Sequence, residues 1–483
     1  MDIHASKLRF VHFVGIKGVA MTALAIYCKE KGIRVTGSDV EEEFPTKESL
    51  EKSGIVPLSG FSKDHIDPLN KPDLVVYTGA HEGCDNIEVA AAKTLGIETM
   101  SHGRALGFFM DGSVQVSIAG SHGKTTTAAM IATILSLAGR DPSYAIGCGD
   151  IRGLGKPGHF GKGREFVAEA DEYVTDPTHD LTPRFLWQRP HVLVVTNIDY
   201  DHSDVYKSLD EVKNAFDALK DQEEGIRTTV VNADDPNSAL LLSGKEILTY
   251  GFSKSADIRI TKVLLEEGKT VFEGELRGMS IGPFTLQIPG KHNILNACAS
   301  IAASYLLNVS WEEIGKGLSA FSGTKRRFEL VGSIGTIRIY DDYAHHPHEI
   351  EATLDGVKLW YPDKRIITVF QPHTYSRTKA LMKEFGQCFG KSDIVCIADI
   401  YASAREKKTF GITSGNLVEE ISKHKKEVYY VKDLNGTISF LNKHVNVGDM
   451  VICMGAGDIY GWGREIMKQL RIVIPDLIRD PIR

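Results

Sequence analysis

Hydrophobic positions along this chain follow two rhythms. Short, nearly continuous apolar runs occur at Leu8–Val14, Leu74–Tyr77, Val114–Ile118, Val192–Thr196, Ile394–Ala398 and Met450–Met454. Between them lie longer stretches with apolar residues at helical spacing, such as Leu24 and Ile26, or Ala128, Ala129, Ile131, Ala132, Leu135 and Leu137. The short runs predict buried strands and the longer ones predict helices that cover them. Arg34–Thr36, Phe166–Glu169, Thr336–Tyr340 and Arg365–Phe370 extend the strand series, and Ile294–Leu307 predicts a late helix. Strand and helix in alternation argue for parallel sheets, so the expected fold class is α/β. Around residues 258–288 β-branched residues alternate, which predicts an antiparallel extension.

The pattern falls into three blocks. The first ends near Phe109, where Met110-Asp111-Gly112-Ser113 reads as a connector, and the third begins near Thr324. The expected domains are therefore 1–110, 111–323 and 324–483, with a peripheral tail from Ile472 that carries two prolines. A chain of 483 residues has room for this, at ~150 residues per domain. With 42% hydrophobic and 25% charged residues, wholesale disorder is excluded. The net charge of −7 argues against nucleic-acid binding. Seven scattered cysteines without a Cys-x-x-Cys pair fit a reduced, cytoplasmic setting and argue against a structural zinc site. No apolar run approaches the ~18 residues of a membrane span, and no signal peptide is expected.

The most informative stretch is Gly120-Ser121-His122-Gly123-Lys124-Thr125-Thr126. It lies between a predicted strand and a predicted helix, the context a phosphate-binding loop requires. Glycines let backbone N–H groups approach phosphate oxygens, and the helix N-terminus adds partial positive charge. Lys124 is placed to reach the β- and γ-phosphates and the Thr125 hydroxyl to ligate Mg²⁺. The spacing is two residues shorter than in the usual loop of nucleoside triphosphatases. Glu169-Ala170-Asp171-Glu172 follows a strand, where carboxylates are well set to hold a Mg²⁺ bridging phosphates; a solvated acidic turn is the alternative. Asn197-Ile198-Asp199-Tyr200-Asp201-His202 has the same context, with His202 a candidate for a second Mg²⁺ or its water.

Other candidates are less specific. Gly15 and Gly18 form a degenerate dinucleotide-type turn, with Asp39 where a ribose-binding acid often sits and Lys17 placed to face a pyrophosphate; a plain strand-to-helix turn fits equally. Asn293 and Asn296 open the helix after Pro289-Gly290 and suit an adenine edge, although Asn293 also fits a helix cap. Arg327, in Lys325-Arg326-Arg327, suits phosphate. Asp341-Asp342-Tyr343-Ala344-His345-His346 ends a strand and reads as a ribose, phosphate or substrate contact. His373 and Arg377 also follow a strand end, and Arg377 has the fork that grips a carboxylate.

In this order the motifs resemble the Mur ligase family of ATP-dependent amino-acid ligases, from about residue 9 to about 468. Gly120–Thr126, Glu169–Glu172, Asn197–His202, His292–Asn296 and Arg327 carry the resemblance. Asp341–Pro347, Phe370–Thr378 and Gly455-Ala456-Gly457-Asp458-Ile459 point to its alanine-adding branch. The resemblance implies a Rossmann-like N-terminal domain for a UDP-sugar, a central P-loop ATPase-like domain, and a Rossmann-like C-terminal domain that brings the amino acid. It implies ligation of L-alanine to the lactyl carboxylate of UDP-N-acetylmuramate through an acyl phosphate, with ATP and Mg²⁺ and without nucleic acid or membrane, by a monomer or weak homodimer. On that basis Gly120, Ser121, His122, Gly123, Lys124, Thr125, Thr126, Asn293, Asn296, Arg327 and Asp342 would bind the nucleotide. Thr125, Glu169 and His202 would serve metal ions. Lys124, Glu169, His202, Arg327, His346 and Arg377 would carry catalysis, and Gly15, Gly18, Asp39, His373 and Arg377 would bind substrates. A sister ligase that adds a recycled tripeptide fits Glu169–Tyr173 equally well, and a nucleotide-binding protein that is not a ligase is the more distant alternative. Four departures stand out: Lys17 and Ala20 replace glycines, Leu106 replaces a glutamate, Thr374 replaces an arginine found in some relatives, and Tyr173–Arg189 is longer than usual. That insertion is expected to form a flap over the UDP-sugar.

Overall fold

The computed structural model describes residues 4–42, 44–200, 205–220, 222, 226–242, 246–402, 406 and 408–473. The chain divides into two compact units. One comprises the chain up to Leu264 with Thr270–Gln287 and Asn293–Thr324; the other comprises Leu265–Lys269, Ile288–His292 and the chain from Lys325. No helix among the described residues is long and apolar enough to cross a membrane.

The first unit holds two sheets. Strands β1 (Phe10–Val14), β2 (Arg34–Asp39), β3 (Leu58–Ser59), β4 (Leu74–Tyr77) and β5 (Glu98–Ser101) form a sheet in the order β3-β2-β1-β4-β5, all parallel. The second strand runs beyond the expected Thr36, so Asp39 ends it. The larger sheet contains β6 (Val114–Ala119), β7 (Ser143–Ala145), β8 (Gly158–His159) and β9 (Glu165–Glu169). After a separate hairpin, β10 (Val174–Asp176) and β11 (Asp180–Pro183), it continues with β12 (Val192–Val195), β13 (Thr228–Asn232), β14 (Glu246–Gly251), β15 (Ile258–Glu266), β16 (Lys269–Leu276) and β17 (Met279–Leu286). Its order is β17-β16-β15-β14-β13-β12-β6-β9-β7-β8. The last two strands pair antiparallel, the extension expected around residues 258–288. Strand β6 sits between β12 and β9 and is parallel to both, so the loops leaving all three emerge at one edge.

The helix Val19–Glu30 explains how the two sheets share a unit. Met21 to Cys28 are all buried. A helix buried around its whole circumference needs cover on every side. Here the first sheet lies on one side, and Ala145, Phe166 and Ala168 of the larger sheet join the same core. Gly158 of β8 lies so close that a Cβ there would stand 1.9 Å from the Ala23 carbonyl oxygen.

The inserted segment is a fastened hairpin, where the sequence predicted a flap. Asp176 is buried and accepts hydrogen bonds from the backbone of Cys84, Thr178 and His179. Its other edge presses on the helix His102–Met110, where a Cβ on Gly107 would lie 2.1 Å from the Trp187 carbonyl oxygen.

In the second unit, β18 (Glu329–Ile334), β19 (Ile337–Asp342), β20 (Ile366–Phe370), β21 (Ile394–Ala398), β22 (Val428–Lys432) and β23 (Met450–Met454) form a sheet in the order β18-β19-β23-β20-β21-β22. Only β18 runs antiparallel to its neighbour. The buried cores on its two faces include Ile350, Leu354 and Phe385 on one side and Ile459, Ile466 and Leu470 on the other.

Candidate active site

In the first unit the loop Gly120–Gly123 leaves β6 and enters the helix Lys124–Leu137. Gly120 and Gly123 have φ of +123° and +85°. A Cβ on Gly120 would meet Thr196 Oγ1 at 2.1 Å, and one on Gly123 would meet Asn296 Oδ1 at 2.4 Å. Glycine is thus required for conformation and for space. The end of β12 braces the loop. Asn197 Oδ1 accepts from the His122 N–H (2.9 Å), while Asn197 Nδ2 and Thr196 Oγ1 both donate to the His122 carbonyl oxygen (3.0 and 2.6 Å). Ser121 Oγ accepts from the Asp199 N–H (2.8 Å), and His122 Nε2 lies 3.3 Å from Asp199 Oδ2.

Charge concentrates beside this loop. Lys124 Nζ donates to the Gly120 carbonyl oxygen (2.6 Å) and to Glu172 Oε2 (2.9 Å). Burial works against its charged form, but Glu172, Asp171 and Glu169 outweigh it and hold the ammonium protonated. Thr125 Oγ1 donates to Glu169 Oε2 (2.7 Å), and Glu169 Oε1 accepts from the Gly147 N–H (2.6 Å). Burial and the neighbouring Asp171 carboxylate push the Glu169 carboxyl above its ordinary range. A hydroxyl beside a carboxylate that resists ionisation among other acids is a donor set that a hard divalent cation would suit. Thr126 is buried in the first helical turn, and Asn296 Nδ2 donates to Asn293 Oδ1 (3.1 Å) at the head of the helix Lys291–Leu306. His202 lies outside the described residues.

The first sheet gathers its own candidates at its carboxyl edge. Gly15 has φ of +83°, and a Cβ there would meet Thr78 Cγ2 at 2.5 Å. Gly18 caps the helix Val19–Glu30. Asp39 accepts from the Lys17 and Val40 N–H groups (2.7 and 2.8 Å) and lies 3.6 Å from His81 Nε2; burial raises its carboxyl above the usual value. The Lys17 ammonium differs from expectation. It bonds the carbonyl oxygens of Val40 and Glu42, which tie it to the loop after β2.

The second unit has a separate cluster at the carboxyl ends of β19, β20 and β23. Arg326 and Phe328 adopt positive φ (+65° and +48°), a strained run such as often lies at functional sites. Asp342 accepts from the Phe328 and Ala344 N–H groups, both at 2.7 Å; burial lifts its carboxyl to about 6. Burial lifts Asp341 to about 7, against the pull of Arg326, whose Nε lies 3.3 Å away. Arg327 stands over the Tyr343 ring and 3.7 Å from Glu349, which also contacts His345. His346 caps the helix Pro347–Trp360. His373 stacks on Tyr401, and its Nδ1 lies 3.3 Å from Arg377 Nη1, a largely buried guanidinium.

Within each unit the structure thus gathers the described candidates at strand ends, except Asn293 and Asn296, which open a helix beside Gly123. Asn197, Asp199 and Glu172 of the quoted motifs join the loop cluster, and Arg326 and Tyr343 the second; the structure adds Thr196 to the former and Glu349 to the latter. Position gave a signal for Asn197 and Glu172, since both follow apolar runs. Nothing local marked Thr196 or Glu349.

Comparison with known proteins extends this geometry. Residues 10–113 match the model "Mur ligase family, catalytic domain", 118–304 "Mur ligase middle domain" and 326–457 "Mur ligase, glutamate ligase domain". The chain is 41% identical over 475 residues to UDP-N-acetylmuramate–L-alanine ligase of Caldanaerobacter subterraneus, covering 97% of this chain and 99% of the relative. The enzyme of the same name from Acetivibrio thermocellus is also 41% identical, with 97% of each covered. Among solved structures, UDP-N-acetylmuramate-alanine ligase MurC from Thermotoga maritima superposes with a TM-score of 0.77 at 27% identity, covering 96% of this chain and 99% of that one. A murein peptide ligase from Psychrobacter arcticus gives 0.69 at 25% identity, with 96% and 98% covered.

Proposed function

The chain belongs to the Mur ligase family, and we propose that it joins L-alanine to the lactyl carboxylate of UDP-N-acetylmuramate, driven by ATP. The observation that carries this reading is the near-full-length likeness to L-alanine ligases, which spans both units. The loop cluster around Lys124 supplies the chemistry such a reaction needs.

A carboxylate is a poor acyl donor because its leaving group is oxide. Phosphorylation by ATP gives an acyl phosphate, which the amine of alanine attacks with loss of phosphate. The protein's task is then to hold anions together and stabilise charge that develops on them. Backbone N–H groups of Gly120–Gly123 and the start of the following helix would cradle phosphate oxygens. Lys124 would turn from Glu172 to the transferring phosphoryl group, a short swing for a side chain already at the loop. Thr125 and Glu169 would hold Mg²⁺, which when bound offsets the repulsion between phosphate and carboxylate. Asn293 and Asn296 would meet the adenine, Arg327 a phosphate and Asp342 the ribose. Gly15, Gly18 and Asp39 would serve the UDP-sugar. Arg377 would pair with the alanine carboxylate, with His346 and His373 nearby.

Phosphate release tests the proposal. It should require ATP, UDP-N-acetylmuramate and L-alanine together. Equal release without either acceptor or amine would mark an ATPase and reject the ligase reading.

A further inference from the structure

Outside the clusters described above, a second set of metal-binding groups lies where the inserted hairpin meets the first sheet. Cys84 and Asp85 belong to the short 3₁₀ turn Gly83–Asp85, in the loop that follows β4. His179 is at the tip of the β10–β11 hairpin. One ligand atom from each lies within 4.8 Å of the others. His179 Nε2 is 2.6 Å from Asp85 Oδ2, and Cys84 Sγ is 3.9 Å from Asp85 Oδ1.

Two features show that the backbone holds this arrangement. The buried Asp176 carboxylate accepts from the Cys84 N–H through Oδ2 (3.0 Å) and from the His179 N–H through Oδ1 (3.3 Å). A single fixed group therefore sets the backbone of two of the three residues, although they are far apart in sequence. Gly83 is required for this approach, since a Cβ there would stand 2.3 Å from Asp176 Oδ2. Fixed ligand residues lower the ordering cost that a metal site must otherwise meet. Cys84 is also the one cysteine of the seven that is not buried.

We propose that Cys84, Asp85 and His179 bind a divalent cation of the zinc class, which pins the inserted hairpin to the first sheet. Thiolate, imidazole and carboxylate together select a borderline-soft ion such as Zn²⁺ over Mg²⁺. Three protein ligands leave a fourth, solvent-filled position. Binding releases the Cys84 thiol proton to solvent, and the ion takes the place between His179 and Asp85 now spanned by their hydrogen bond. Burial and the Asp176 and Asp85 carboxylates disfavour the free thiolate, although Lys93 opposes them. A cation among those anions reverses that balance. The ligands come from separate segments, so no Cys-x-x-Cys spacing announces them.

Co²⁺ is a spectroscopic substitute for Zn²⁺ that separates this site from the nucleotide site, where Thr125 and Glu169 offer only oxygen. Co²⁺ added to the full-length, chelator-treated protein should produce a near-ultraviolet thiolate-to-metal absorption that saturates at a single ion per chain and is displaced by Zn²⁺. Cys84→Ser, His179→Ala and Asp85→Asn all alter side chains that reach solvent, and circular dichroism checks their folding. The first two should abolish the band, and Asp85→Asn should weaken binding by at least roughly tenfold, in the range that loss of a metal-site partner costs. Absence of the band in the native protein, or its persistence in Cys84→Ser or His179→Ala, overturns the proposal.

Discussion

Lys124 is held by the Gly120 and Ser121 carbonyl oxygens and by Glu172. All three lie within the loop cluster, so the ammonium is stored beside the place where phosphate would arrive. Replacing it with alanine should lower turnover about 10²–10³-fold, the ~3–4 kcal/mol typical of a key electrostatic donor. Steady-state phosphate release measures this, and turnover within a few-fold of native would exclude the role. Gly123→Ala is a sharper test of the loop. It forces a Cβ against Asn296 at a φ of +85°, so KM for ATP should rise while KM for L-alanine changes little. An unchanged KM for ATP would mean that the loop does not set nucleotide affinity. Lys124, Thr125 and Glu169 were legible as candidates because the first two follow a strand within a few residues and the third ends one. Thr196 and Glu349 were not, because their roles come from strand pairing and helix placement that join distant segments. Asp342 shows a subtler limit. Its position at a strand end was readable, but its carboxylate is engaged by the Phe328 and Ala344 N–H groups, which only the turn geometry reveals.

At the scale of elements, the helix Val19–Glu30 does most to join the first two sheets. Its largely apolar first nine residues were visible, but the second surface that covers them was not, because periodicity reports burial and not the identity of the partner. Gly158→Ala would drive a methyl group into the Ala23 carbonyl oxygen, 1.9 Å away. A loss of ~1–3 kcal/mol is expected from such overpacking, measurable by denaturant unfolding, with Gly461→Ala, which meets nothing within 4 Å, as the neutral control. The end of the same helix carries a pH-dependent clasp. His159 Nδ1 lies 2.6 Å from Glu30 Oε2 and its Nε2 2.9 Å from Asp141 Oδ1. The hydrogen bond to Glu30 raises the His159 pKa above its ordinary 6.5, against the effect of burial. Burial alone would raise Glu30, but hydrogen bonds from His159, Lys156 and the Phe160 N–H lower it from 4.5 to about 2. The histidine's contribution is full below pH 6.5 and fades as pH rises through its raised value. The glutamate's is full above pH 4.5 and fades toward 2. The clasp is therefore strongest between 4.5 and 6.5. His159→Ala should lower Tm more at about pH 6 than at about pH 9; an equal loss at both would remove protonation from the account.

For the whole molecule, the alternation of strands and helices made three sheets with parallel cores readable in outline. The sharing of one core by the first two sheets was not readable, because it depends on contacts between residues more than a hundred positions apart, such as Ala23 with Gly158. At this scale the amine separates the two branches, since a murein peptide ligase superposes alongside the alanine enzyme. Curated relatives at 41% identity that run the length of the chain carry the L-alanine name. If Arg377 takes the amino-acid carboxylate as proposed, this largely buried guanidinium beside a His373 stacked on Tyr401 would offer one short-range fork for one carboxylate, which suits a small amino acid better than a chain with several. With ATP and UDP-N-acetylmuramate saturating, kcat/KM for L-alanine should exceed that for the tripeptide by at least roughly tenfold, about 1.4 kcal/mol of discrimination. Arg377→Lys, which keeps the charge and loses the fork, should raise KM for L-alanine and leave KM for ATP nearly unchanged. A tripeptide preferred over alanine would move the protein to the recycling branch. An Arg377→Lys effect confined to ATP would detach this guanidinium from the amine and assign it to the nucleotide.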